Sequence, residues 1–260
     1  MTFAGLLVYP LMFSLALPAS AADTLPRDTL ARTRAQVESF LKLFSEVRCT
    51  EVVVQAKLTK HGKVDHQEKS TYDYLVLAQE SGSYLNLQES RLEQQAPQKK
   101  ANVPLLVTNG FATLLLVFHP FYKDSFEFSP PETEVVNGQT LARIAFRHIR
   151  NKQTTMELVL RGREYPLDIT GSAWIDPASG SIVRIESELA QTMDDIGLRV
   201  LRTDVQYDPV HLRGVDDSLR LPSIATVEVQ TARQHWRNIH RFSGYQHFSV
   251  DVEETVKAQK

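Results

Sequence analysis

The residues best equipped for chemistry in this sequence are scattered, and their spacing limits what each group can do. His61 and His66 flank a glycine turn, and His235, His240 and His247 fall close together late in the chain. Neither group has the His-x-x-x-His spacing that sets two rings on one helical face to hold a metal. In a strand, alternate residues share a face, so His235 and His247 point away from His240. All five read as solvated side chains. The acidic pairs Asp194-Asp195 and Asp216-Asp217 sit at turns, where aspartate bonds the backbone, and neither is embedded in a calcium-loop pattern. Ser179-Gly180-Ser181 lies in a turn that accounts for its residues, and no Gly-x-Ser-x-Gly elbow or glycine-rich phosphate loop is present. The single cysteine, Cys49, excludes an internal disulfide and any multi-cysteine metal site, and reads as a small apolar residue between a helix and a strand. The expectation is a protein with no catalytic residues, metal or cofactor. An envelope hydrolase would require a base and a nucleophile from distant strands to meet within hydrogen-bond reach.

What remains is apolar. Phe111, Leu115, Phe118, Phe121 and Tyr122 form the most ligand-like group, suited to line a lipid cavity or to fill a core, and Trp174 is a similar case.

These residues belong to a chain of 260 amino acids with ordinary globular composition, 42% hydrophobic and 23% charged, so a packed fold is expected. The formal charge of -2 provides no field to attract nucleic acid or an anionic membrane. Leu6 to Leu17 is a short apolar run, and Ala19-Ser20-Ala21 follows it with the small-x-small pattern of a signal-peptidase site. The expectation is a signal peptide over 1–21 and one mature domain over 22–260, periplasmic or secreted. No lysine or arginine precedes the apolar run, which departs from the usual signal. Ala22 or Asp23 stands where a lipoprotein would need cysteine, and no later apolar stretch reaches membrane-spanning length.

Thr24 to Val47 has helical periodicity, with Leu30, Val37, Phe40, Leu41, Phe44 and Val47 on one stripe. From Glu51 the period becomes two, and Val52, Val54, Ala56 and Leu58 are expected to form the apolar side of a strand. Further strands are expected over Tyr72 to Ala78, Tyr84 to Ser90, Phe126 to Val136, Leu141 to Ile149 and Met156 to Leu160. The clearest hairpin joins Gly171–Asp176 to Ser181–Leu189 through Asp176-Pro177-Ala178-Ser179-Gly180. Three more follow at Ile196–Tyr207, Leu219–Thr231 and Phe242–Val252. Phe111 to Phe118 reads as a short helix apolar on every side, which must be buried or face an apolar cavity. The fold class is therefore α+β: a curved antiparallel sheet of roughly nine or ten strands, a half-barrel, with both helices on its concave face. A closed barrel is the near alternative.

The N-terminal helix, the strand Val52 to Leu58, the buried helix at Phe111 to Phe118, and Gly171-Ser172-Ala173-Trp174-Ile175-Asp176-Pro177 with Gly180-Ser181-Ile182-Val183-Arg184-Ile185 together resemble a known superfamily. It is the half-barrel group of the bacterial outer-membrane lipoprotein carrier, related mycobacterial lipoproteins and the periplasmic stress sensor (LolA, LppX and RseB types). The resemblance implies a curved sheet enclosing an apolar cavity for acyl chains or an amphiphilic peptide, but no motif carries a site residue across. The expected function is a non-enzymatic envelope protein holding a lipid or other hydrophobic ligand, with an envelope protein as a candidate partner. The alternative is a structural or protein-interaction module with a filled core.

Overall fold

A computed structural model describes residues 28–81, 84–94, 105–108, 110–160, 162–214 and 219–247. The segment 1–21 expected to be a signal peptide, the Asp216-Asp217 pair and the residues beyond His247 lie outside those described.

The first helix, α1, runs over Thr29–Phe44. Thr33, Val37, Phe40, Leu41 and Phe44 form its buried stripe, while Arg32–Asp28 and Lys42–Glu38 pair one turn apart on the exposed side. It ends three residues earlier than the periodicity predicts because Val47 already belongs to a strand. Among the described residues thirteen strands follow: β1 Val47–Leu58, β2 Val64–Ser81, β3 Tyr84–Glu93, β4 Phe126–Phe128, β5 Glu132–Val136, β6 Gln139–His148, β7 Glu157–Leu160, β8 Arg163–Pro166, β9 Ile169–Ile175, β10 Ile182–Leu189, β11 Leu198–Val210, β12 Leu219–Thr231 and β13 His235–His247. Between β3 and β4 lie two 3-10 helices, Phe111–Phe118 and Pro120–Tyr122.

Eleven strands form one open antiparallel sheet in the order β3-β2-β1-β13-β12-β11-β10-β9-β6-β4, with β5 also on β6. This is the expected α+β half-barrel, and it is not closed. The small hairpin β7–β8 stands apart as a second sheet. Most neighbours in the large sheet are close in sequence; the longest-range pairing joins β1 to the last strand, β13.

Cross-strand neighbours show how the two faces divide. One inward row reads Ile144, Ala173, Ile185, Val205, Ala225 and then His240 and Val53, so the face is apolar from β6 to β12 and turns polar at β13. The apolar part meets α1 and the first 3-10 helix, whose Leu114 to Phe118 are 0–4% exposed. Phe118 packs on Phe128 and Phe146 at centroid distances of 5.0 and 6.0 Å. The wholly buried Tyr207 of β11 makes a hydrogen bond with the backbone of Leu115.

In β1 the expected face is reversed. Val47, Cys49, Glu51 and Val53 are the inward, buried residues, and Val52 and Val54 lie half-buried on the outer face, while Ala56 and Leu58 are buried as expected. Three consecutive valines hide the parity, and the inward set contains a carboxylate that no apolar pattern would include. β13 begins seven residues before the expected Phe242 for the same reason: its inward positions there are Trp236, Asn238 and His240.

Two glycines are required by close approach. A Cβ on Gly171 would lie 2.0 Å from the Glu186 carbonyl oxygen and 2.6 Å from the Phe146 ring. Gly180, at φ +79, faces the backbone of Arg32, whose guanidinium donates to the Ala178 carbonyl at 3.1 Å, so the β9–β10 turn seats α1. Gly171→Ala is therefore expected to lower the unfolding free energy by about 3 kcal/mol, the upper end of overpacking costs. Urea denaturation would show it, and a loss below experimental error would refute the tight fit.

Candidate functional site

Two regions of the inward face carry distinct chemistry, and the first is apolar. Leu115, Phe118 and Tyr122 are all buried there, at 3%, 0% and 7% exposure, with Phe121 stacked edge-on against Tyr122 at 4.9 Å. Burial pushes the Tyr122 hydroxyl above its ordinary pKa. The backbone of Phe111 opens the 3-10 helix, and its side chain lies outside the described ones. Where this helix meets α1 and the sheet, a crevice of about 60 Å³ remains, lined by Val37, Phe40, Leu115, Ile182 and Leu219 among others.

Trp174 does not join this group. It stands on the outer face, where the Arg143 and Arg184 guanidinium carbons lie 6.0 and 5.0 Å from its ring centroid. The indole is 8% exposed, and its Nε1 has no hydrogen-bond partner.

The second region is polar, and no sequence pattern announces it. Glu51 is wholly buried; its carboxylate accepts from Arg91 Nε at 2.5 Å and Nη2 at 2.9 Å. His240, 2% exposed, is not the solvated residue expected: its Nδ1 lies 2.8 Å from Glu51 Oε1 and its Nε2 lies 2.7 Å from Thr108 Oγ1. Asn238 Nδ2 donates to the Thr108 hydroxyl at 3.0 Å and to the Leu106 carbonyl at 2.7 Å, a carbonyl that also accepts from Gln55. Glu89 extends the cluster, pairing with Arg91 and accepting from Tyr74 Oη and from the Gly110 backbone. Arg91 also covers the Tyr74 ring at 5.2 Å.

Asn238 donates to the Thr108 hydroxyl, and His240 bridges that hydroxyl and the Glu51 carboxylate through its two ring nitrogens. Burial by itself would raise the Glu51 pKa, but hydrogen bonds from His240 and Arg91 outweigh it and hold the carboxyl below its ordinary value. Burial likewise raises the Cys49 thiol to about 12, so this cysteine is inert.

Hydroxyl, imidazole and carboxylate in a line is the order used by nucleophilic hydrolases. Here a base and a hydroxyl from distant segments do converge. The hydroxyl, however, is engaged on both sides, Thr108 is 6% exposed, and neither the crevice nor the groove on the outer face touches it. The arrangement fastens a strap, residues 105–108 with Gly110 at the start of the apolar 3-10 helix, onto β1, β3 and β13.

His148 forms a separate pair, with Nδ1 2.8 Å from Asp168 Oδ1. Among the described residues, no group of three or more His, Cys, Asp or Glu side chains is placed to hold a metal. Among those residues, too, no helix is long and apolar enough to cross a membrane.

Fold and site together define an open half-barrel protein with a strapped apolar helix on its inner face. No family model matches the sequence, and no curated protein matches it. Among solved structures the chain is similar to a DUF1329 family protein from Desulfovibrio piger, at 9% identity over 89% of this chain and 93% of that one, with a TM-score of 0.45. It is also similar to an outer membrane lipoprotein-sorting protein domain from Vibrio parahaemolyticus, at 10% identity over 85% and 95%, with a TM-score of 0.42. A third is the MucA/MucB complex of Pseudomonas aeruginosa, at 11% identity over 86% and 100%, with a TM-score of 0.22.

Arg91→Met would leave Glu51 buried without its cation, and about 3–5 kcal/mol of stability is expected to be lost at neutral pH. In the wild type, the depressed Glu51 pKa stabilises the fold above the ordinary carboxylate range, and that contribution disappears as pH falls through the folded value. In the variant Glu51 takes up a proton more readily, so the stability gap should narrow as pH is lowered toward 4. A gap that is constant or widens with acid, in chemical denaturation from pH 7 to 4, would contradict this role of the cluster.

Proposed function

We propose that the protein is a non-enzymatic binding protein of the cell envelope that takes up a hydrophobic ligand, such as a lipoprotein acyl chain, between the 3-10 helix, α1 and the sheet. The observation that carries this reading is the helix Phe111–Phe118. Its sequence, Phe-Ala-Thr-Leu-Leu-Leu-Val-Phe, has no polar face, and its N-cap makes no side-chain hydrogen bond. A 3-10 helix has poorer hydrogen-bond geometry than an α-helix, so this segment is held mainly by packing and can be displaced by packing. The crevice beside Leu115 marks where α1 and the helix part from the sheet. An acyl chain entering there gains about 0.8 kcal/mol for each methylene it buries, which offsets the packing given up by the leucines it displaces. The apolar run and small-x-small site of the N-terminus support an envelope location, and the resemblance to lipoprotein-carrier half-barrels supports the ligand class. The engagement of Thr108 by both Asn238 and His240 supports a non-enzymatic role.

One observation favours a second reading. The interior is already filled, because Leu114 to Phe118 are nearly inaccessible, and a filled half-barrel serves equally as a protein-interaction module.

The two readings part in one experiment. The native protein would be extracted with organic solvent for mass spectrometry, and the delipidated protein titrated with a fluorescent fatty acid and competed with palmitate. Co-purified amphiphile or competitive uptake is expected. A clean extract with no uptake would remove the lipid reading and leave the module.

A further inference from the structure

A second cavity among the described residues lies on the face that the apolar helix does not touch. It is a groove of about 610 Å³ crossing five strands, from Arg143 and Ala145 on β6 to Thr226 and Glu228 on β12. Its cause can be read from the cross-strand rows. The middle row is Ala145, Ser172, Glu186, Asp204 and Thr226, mostly short side chains. The row on one side is Arg147, Thr170, Glu188, Arg202 and Glu228; that on the other begins Arg143, Trp174 and Arg184. Long side chains flank short ones, and a trench about 19 Å long results at the usual strand spacing of ~4.8 Å.

We infer that this groove binds a neutral, polyhydroxylated chain, an oligosaccharide, through the guanidinium, carboxylate and hydroxyl groups of Arg143, Ser172, Glu186, Asp204, Arg202 and Glu228. Donors and acceptors decide the match. Guanidinium groups only donate and carboxylates only accept; in one row Glu188, Arg202 and Glu228 alternate across β10 to β12, and in the middle row the carboxylates Glu186 and Asp204 are neighbours beside the hydroxyls of Ser172 and Thr226. A cationic ligand would face Arg143 and Arg202; an anionic one would face four carboxylates. A hydroxyl donates and accepts, so a chain of hydroxyls can satisfy both kinds wherever it lies.

The groups are also available at low cost. Arg202 and Glu188, 67% and 55% exposed, are 3.5 Å apart, and Arg143 stands 3.7 and 3.9 Å from Glu132 and Glu134. Such exposed pairs contribute about 0–1 kcal/mol, so a ligand hydroxyl can insert between them. Other groups are fixed in place. Arg184 binds Asp204 at 3.1 and 2.7 Å and pairs with Glu186. The indole of Trp174 lies between Arg143 and Arg184 and holds both, which makes it a positioning residue at the end of the groove.

The test uses the full mature protein, titrated with cellohexaose, maltohexaose and chitohexaose while tryptophan fluorescence and NMR amide shifts are followed. Saturable binding of at least one hexasaccharide is expected, with shifts confined to β6 and β9 to β12. Arg202→Ala, a change at an exposed side chain, should weaken binding tenfold or more, and Ala145→Trp should abolish it by filling the floor. No saturable binding to any of the three would overturn the proposal. So would binding unaltered by Arg202→Ala, or binding only to a hexalysine control peptide, which would make the groove a site for basic protein segments. Because this face is separate from the apolar helix, failure of the fatty-acid experiment leaves the outcome here unaffected.

Discussion

The structure depends on the burial of one carboxylate. Glu51 is shielded completely from water, and without charged partners in that position it would have to take up a proton or cost the fold several kcal/mol. Its partners come from two other strands, Arg91 of β3 and His240 of β13, and through His240 from Thr108 of the strap. Each partner is reached only if β1 sits between β2 and β13 in the observed register, Val53 opposite His240 and Gln55 opposite Asn238. A slip of one residue would turn Glu51 to the outer face and leave Arg91 buried beside Glu89 alone. The cluster thus specifies which edges of the two half-sheets meet, a task that the apolar rows of β6 to β12 could not perform, since valine, isoleucine and alanine pack in many registers.

How far the sequence discloses this follows from the kind of signal each element carries. β9 and β10 are legible because the Asp176–Gly180 turn is chemically explicit and Ile169, Ala173 and Ile175 alternate cleanly. The helix stripe and the apolar segment at 111–118 are legible for the same reason. β13 is half hidden, and β1 reads with its faces exchanged, because their inward residues are Asn238, His240 and Glu51. Period-two reading finds apolar faces and is blind to a polar face completed by partners far away in the chain. The same blindness hides the polar cluster: nothing near Glu51 announces Arg91, Thr108 or His240. Size alone places Trp174 with the cavity residues, and only the cross-strand neighbours Arg143 and Arg184 show that it belongs to the outer face.

The two faces therefore divide the protein's physical work. The inner face excludes water around a helix held mainly by packing, and fastens that helix at its start where the Gly110 N–H donates to Glu89. The outer face keeps a mixed array of charges whose mutual pairs are loose in some places and fixed in others. Nothing passes between the faces except the sheet itself, so substitutions on one are expected to be nearly additive with those on the other.

The pairing of β1 with β13 also bears on how the molecule comes into being. Glu51 and His240 are 189 residues apart, so the buried ion cluster cannot form until almost the whole polypeptide is present. Contacts of such long range slow folding, because loop closure must precede any gain from them. During synthesis β1 therefore waits without β13, while pairs close in sequence, such as β9 with β10 and β11 with β12, can form before it.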